Sequence, residues 1–127
     1  MGRRVRVTFV VLSMVIAGIL LPRLVSSRED VRDVRVVARN MTYYVDGIDG
    51  PNPTLRFLPG EQVRVSFRNE DRGMAHDLRI PAWSVGTRTV GHGDQDSITF
   101  RVPSTGSSAD YACTPHSAMM GGKVVIQ

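Results

Sequence analysis

The residue types best suited to chemistry gather near the C-terminus. The stretch YACTPHSAMMGG, Tyr111 to Gly122, holds the only cysteine of the chain, Cys113, then His116, then the pair Met119 and Met120. A lone cysteine often packs as a small hydrophobe. Here the spacing C-x2-H-x2-M brings thiolate, imidazole and thioether into one short loop. Soft sulfur with borderline nitrogen is the ligand set of copper. A second imidazole comes from His76 in GMAHDLRI. Two imidazoles and a thiolate with a weak axial thioether form a blue-copper electron-transfer site. Spacing favours Met119 as the thioether, with Met120 as its rival.

Donors so far apart in sequence need a rigid frame to meet. EQVRVSFRNED puts Val63, Val65 and Phe67 on one face and Arg64, Ser66 and Arg68 on the other, the period of a half-buried strand. SITFRVP repeats it with Ile98, Phe100 and Val102, and VRVVARNMTYYV gives one or two strands between Val34 and Val45. DYAC and GGKVVIQ bracket the ligand loop as strands. DGIDGPNP, LPGE, NEDRG, VGHGDQD and PSTGSSAD are turn-forming breaks. After Leu24 no long helical period occurs. Short strands at this density predict an all-β antiparallel sandwich.

The first residues read differently. Arg3, Arg4 and Arg6 precede an uncharged, mostly apolar run from Val7 to Pro22, a basic region followed by an apolar one. As a helix that run covers about 24 Å, short of the roughly 30 Å hydrocarbon layer, so a span must continue past Arg23 to Val25. The segment 1–27 is thus a signal peptide, with Val25 and Ser27 at a cleavage site, or a membrane anchor. Arg23 intrudes before that site and favours the anchor. Either way, residues 28–127 are expected as an exported domain, periplasmic, secreted or anchored facing outward.

The net charge of +4 resides in Arg3, Arg4, Arg6 and Arg23, since residues 28–127 hold twelve Lys+Arg against twelve Asp+Glu. A neutral domain without a basic stripe excludes nucleic acid as an expected partner. One cysteine cannot form an internal disulfide. His92, in a turn-like segment, reads as surface. Met41, Met74 and Trp83 read as core or rim, and no carboxylate pair suggests acid-base catalysis.

YACTPHSAMMGGKVVI resembles the C-terminal copper loop of cupredoxins, the plastocyanin, amicyanin and pseudoazurin group, and the resemblance runs from Val34 to Gln127. Two residues between His and Met are similar to amicyanin and pseudoazurin. Tyr111, Pro115 and Gly122 stand where such loops have an aromatic, a proline and a glycine. The resemblance implies a Greek-key β-sandwich holding one copper ion, cycling between Cu(I) and Cu(II), at one end. It implies His76, Cys113 and His116 as equatorial ligands and Met119 as the axial one. After the first histidine the family commonly has asparagine, whose amide ties the two ligand loops together. Here Asp77 follows, and an ionised carboxylate accepts hydrogen bonds without donating. Its network must therefore differ, and its charge is expected to favour Cu(II).

The expected function is single-electron transfer between redox partner proteins, without enzymatic activity. Copper storage, delivery or resistance is the alternative, suited by the adjacent methionines and Met74. A copper reductase would need a second histidine-rich site, and His92 is the one histidine left over.

Overall fold

The computed structural model describes residues 30–127 apart from Ser107, and Gly2. The expected signal or anchor over 1–27 lies outside the described residues. Among the described residues, nine strands form two sheets. The first has the order β2-β1-β4-β7, with β1 at Val31–Ala38, β2 at Tyr43–Val45, β4 at Gln62–Asn69 and β7 at Gln95–Arg101. The second has the order β3-β9-β8-β5-β6, with β3 at Leu55–Phe57, β5 at Arg79–Ile80, β6 at Val85–Gly86, β8 at Ala109–Ala112 and β9 at Gly121–Ile126. The single helical element described is a 3-10 turn at Pro81–Trp83.

Alternation decides which face each strand buries. Val63, Val65 and Phe67 of β4 are buried, and the intervening Arg64, Ser66 and Arg68 are not. Val34, Val36 and Ala38 of β1 do the same in register beside them, Val34 opposite Val65 and Val36 opposite Phe67. The second sheet contributes Leu55, Phe57, Tyr111 and Val124 to the same core. Ring contacts join the two layers. Tyr43 of β2 lies 5.5 Å from Tyr111 of β8, and Phe57 of β3 lies 6.2 Å from Phe100 of β7. Each large side chain so buried contributes about 1.5–3 kcal/mol.

The sandwich is not antiparallel throughout, which corrects the sequence reading. β1 runs parallel to β4, and β3 runs parallel to β9. After the β1–β2 hairpin the chain crosses to the second sheet as β3 and returns as β4 on the other side of β1. A crossover of that kind delivers a parallel neighbour, as a tight hairpin cannot. Alternation within a strand carries no information on this point. The strands β3, β5 and β6 escape a reading by periodicity because two or three residues cannot display a period.

Candidate metal centre

The ligand loop is a turn closed at its base by the sheet. Ala112, the last residue of β8, pairs with Gly121, the first of β9. The next step inward is Cys113 N–H to Met120 C=O at 3.0 Å. Within the loop, His116 N–H donates to Cys113 C=O at 3.2 Å, and the amides of Met119 and Met120 both donate to His116 C=O at 3.0 Å. Gly122 makes this closure possible. A Cβ there would fall 2.6–2.8 Å from Cε1, Cζ and the hydroxyl oxygen of Tyr111. Only hydrogen fits beneath that ring, whose hydroxyl donates to Pro53 C=O at 2.7 Å.

His76 arrives from the opposite side, on the segment that follows β4. Its amide and carbonyl exchange hydrogen bonds with Val90 at 3.0 and 2.8 Å. The Asn69 side chain organises the approach, donating to Met74 C=O and Val90 C=O at 2.8 and 2.9 Å and accepting from Asp71 N–H at 2.9 Å. His76, Asp77 and Leu78 are all fully buried.

The three donors converge. His76 Nδ1 and His116 Nδ1 are 3.1 Å apart, and Cys113 Sγ lies 3.6 Å from each. The centre of that triangle is about 2 Å from every corner, the length of a metal bond to imidazole nitrogen and slightly short for sulfur. His76 and Cys113 are buried, whereas His116 is half-buried. These residues fit a trigonal metal site of two imidazole nitrogens and one thiolate sulfur, the arrangement of blue copper.

The methionines separate by burial, and the preference from spacing is reversed. Met119 is 59% exposed, and its carbonyl accepts from the Asn52 side chain at 3.2 Å. Met120 is 0% exposed, next to the closing Cys113 hydrogen bond. Counting residues after His116 cannot reveal that the turn takes three intervening residues before the chain points inward again.

Asp77 does tie the ligand loops together, as an acceptor. Its Oδ1 receives Thr114 N–H at 2.6 Å, while Oδ2 receives Arg79 Nε–H at 3.1 Å and the Thr89 hydroxyl at 3.3 Å. Burial raises the carboxyl pKa, but the Thr114 and Arg79 hydrogen bonds outweigh it and hold the group below the usual carboxylate range. The buried Tyr43 hydroxyl donates to Asp77 C=O. Burial pushes the Cys113 thiol up, opposed by the backbone amides of Asp77 and His116.

Asp71 escapes sequence reasoning. It sits among turn residues in NEDRG, where nothing in the sequence distinguishes it from its neighbours. Its Oδ2 lies 2.9 Å from His76 Nε2, and it also accepts the amides of Asn40 at 2.5 Å and Met41 at 2.9 Å. Burial opposes its ionisation, but the Met41 and Asn40 amides and His76 prevail and lower its pKa. His92 is exposed, Met41 and Trp83 pack against the core, and Met74 is 45% exposed.

Residues 67–127 match the family model of copper binding proteins of the plastocyanin/azurin family. No curated protein sequence matches the chain. Among solved structures, rusticyanin from Thiobacillus ferrooxidans is 23% identical, with 76% of this chain covering 77% of that one at a TM-score of 0.58. Reduced auracyanin from Roseiflexus castenholzii is 18% identical, with 76% of this chain covering 97% of that one at 0.61. Auracyanin A from Chloroflexus aurantiacus, a blue copper protein, is 14% identical, with 77% of this chain covering 100% of that one at 0.61. At such identities the likeness to these structures is one of fold. The donor set and the family match together describe a site for one copper ion.

Proposed function

We propose, on the premise that residues 67–127 belong to the plastocyanin/azurin family of copper binding proteins, that this is an exported blue-copper protein carrying single electrons between redox partners. The observation that carries the reading is the triangle of His76 Nδ1, Cys113 Sγ and His116 Nδ1, preformed in the fold. Met120 is the axial ligand in this proposal, and Met119 is not. The copper supplies a one-electron couple when bound.

The chain's own residues do the rest. Main-chain bonds from Val90 hold His76, and the β8–β9 closure holds Cys113. A ligand set that cannot relax toward either oxidation state keeps reorganisation small. Burial of His76 and Cys113 shields their donor atoms from water. His116, half-buried, is the natural route for the electron to a partner. Ala118 and Met119 are exposed beside it and offer an apolar surface for weak, transient docking. The basic residues and apolar run before residue 28 support export.

A carrier is preferred to an enzyme because the donor set matches that of a one-electron blue-copper centre. His92 sits exposed in the turn before β7. A second reading, copper delivery without electron transfer, draws on the exposed thioethers of Met74 and Met119, which suit Cu(I). The test is to load the full chain with Cu(II), reduce and reoxidise it with small-molecule couples, and offer the reduced form to a Cu(I) chelator. Reversible one-electron cycling with copper retained supports the carrier. Ready loss of copper to the chelator supports delivery.

A further inference from the structure

We propose that Asp71 is the positioning residue of the copper centre, its carboxylate fixing the His76 imidazole as the Nε2–H tautomer and strengthening its Nδ1 as a donor, which biases the site toward Cu(II). The proposal rests on the blue-copper reading above. A neutral imidazole carries one N–H, and a carboxylate only accepts. With Asp71 Oδ2 2.9 Å from Nε2, the proton belongs on Nε2 and the lone pair on Nδ1, the atom that faces Cys113 and His116. A carboxylate behind a ligating histidine also raises its basicity.

The carboxylate is itself held in place. Asn40 and Met41 form the two-residue turn of the β1–β2 hairpin, with φ of 53° and 56°. That left-handed pair is favourable to asparagine and unfavourable to methionine. Both amides of this turn point at Asp71, one to each oxygen. The Asp71 amide returns to Asn69, whose side chain also binds the carbonyl of Val90, the strand partner of His76. Ring and main chain of His76 therefore hang from one connected network. Asp77 differs, because it shares its charge with Arg79 at 3.1 Å. Asp71 directs its charge at two amides and the ligand itself.

The experiment is Asp71→Asn in the full chain, with two readouts. In the copper-free wild-type protein, 15N NMR of His76 is expected to place the proton on Nε2, and in the variant, whose amide oxygen is an uncharged and weaker acceptor, that preference weakens. In the copper-loaded variant the blue band persists, while the ratio of Cu(II) to Cu(I) affinity falls about tenfold, a rise in midpoint potential of about 59 mV for one electron. Should Asp71→Asn alone fail to fold, the same substitution is made with Asn40→Gly and Met41→Gly, which relieve the turn while keeping its amides, and is compared with that double variant. A proton on His76 Nδ1 in the copper-free protein overturns the proposal. An unchanged potential with the band intact does so as well. If the wild-type protein lacks the blue band, the functional reading fails, and the tautomer still decides the role of Asp71.

Discussion

The Asp77 carboxylate accepts the Thr114 amide at 2.6 Å, a contact that joins the segment carrying His76 to the loop carrying Cys113 and His116. Charge-assisted bonds of this kind contribute about 1.5–3 kcal/mol. Asp77→Asn keeps an acceptor for Thr114 but turns an amide toward Arg79, so the potential is expected to rise, by less than in Asp71→Asn, because Arg79 already offsets the charge. Asp77→Ala strands the Thr114 amide and costs about 1–3 kcal/mol more in stability. Voltammetry and urea unfolding of the two variants check this. An Asp77→Asn potential at or below wild type would contradict it.

Burial assigns different jobs to adjacent methionines. Met120→Leu is expected to preserve the fold, since the two side chains are close in volume, and to change the EPR spectrum and raise the potential by removing the axial thioether. Met119→Leu, on the surface, leaves both unchanged. Paired EPR spectra decide the matter, and the opposite pattern would return the axial role to Met119.

Gly122 lies against the Tyr111 side chain, where an added Cβ would sit 2.6–2.8 Å from three of its atoms. Gly122→Ala is expected to destabilise the copper-free chain by about 1–3 kcal/mol through overpacking. Gly91→Ala is the control, because its added Cβ would make only ordinary contact, 3.6 Å from Asp94 Oδ2, with no positive φ to strain it. Denaturant midpoints of the two variants should therefore differ, with Gly122→Ala the lower.

Acid should act through Asp71, Asp77 and Asp96, all held below the usual carboxylate range. The unfolded chain binds their protons first, so stability rises with pH through this range. Their contribution is complete above about pH 4 and is lost as pH falls through the lower folded values. Unfolding of the copper-free chain followed by tryptophan fluorescence should show this slope, flattened in Asp77→Asn. Tyr43 and Tyr111 have the opposite sign. Burial raises both, so their contribution is lost as pH rises above about 10.

Much of this was legible in the residues themselves. Alternation in 63–67 marks β4 and its buried face, and the loop from Tyr111 to Gly122 names Cys113 and His116 through types and spacing alone. His76 is legible as a candidate by type, and the fold explains how it reaches the loop, through the pairing with Val90 and the Asp71 contact. Spacing points to Met119 and burial to Met120, because spacing along a chain does not report which way a turn faces. The parallel pairs β1/β4 and β3/β9 were hidden because a strand's own pattern is the same in either direction. Asp71 is held by the Asn40 and Met41 amides from 30 or more residues away, and Asn52 reaches Met119 C=O across 67, contacts that leave no local trace.

The most direct test of the central claim is the visible and EPR spectrum of the purified full chain loaded with one equivalent of Cu(II). Thiolate ligation by Cys113 in a trigonal site predicts an intense blue charge-transfer band and a narrow copper hyperfine splitting, both abolished in Cys113→Ser. A colourless protein, or a weak band with the broad splitting of ordinary tetragonal Cu(II), would contradict the account.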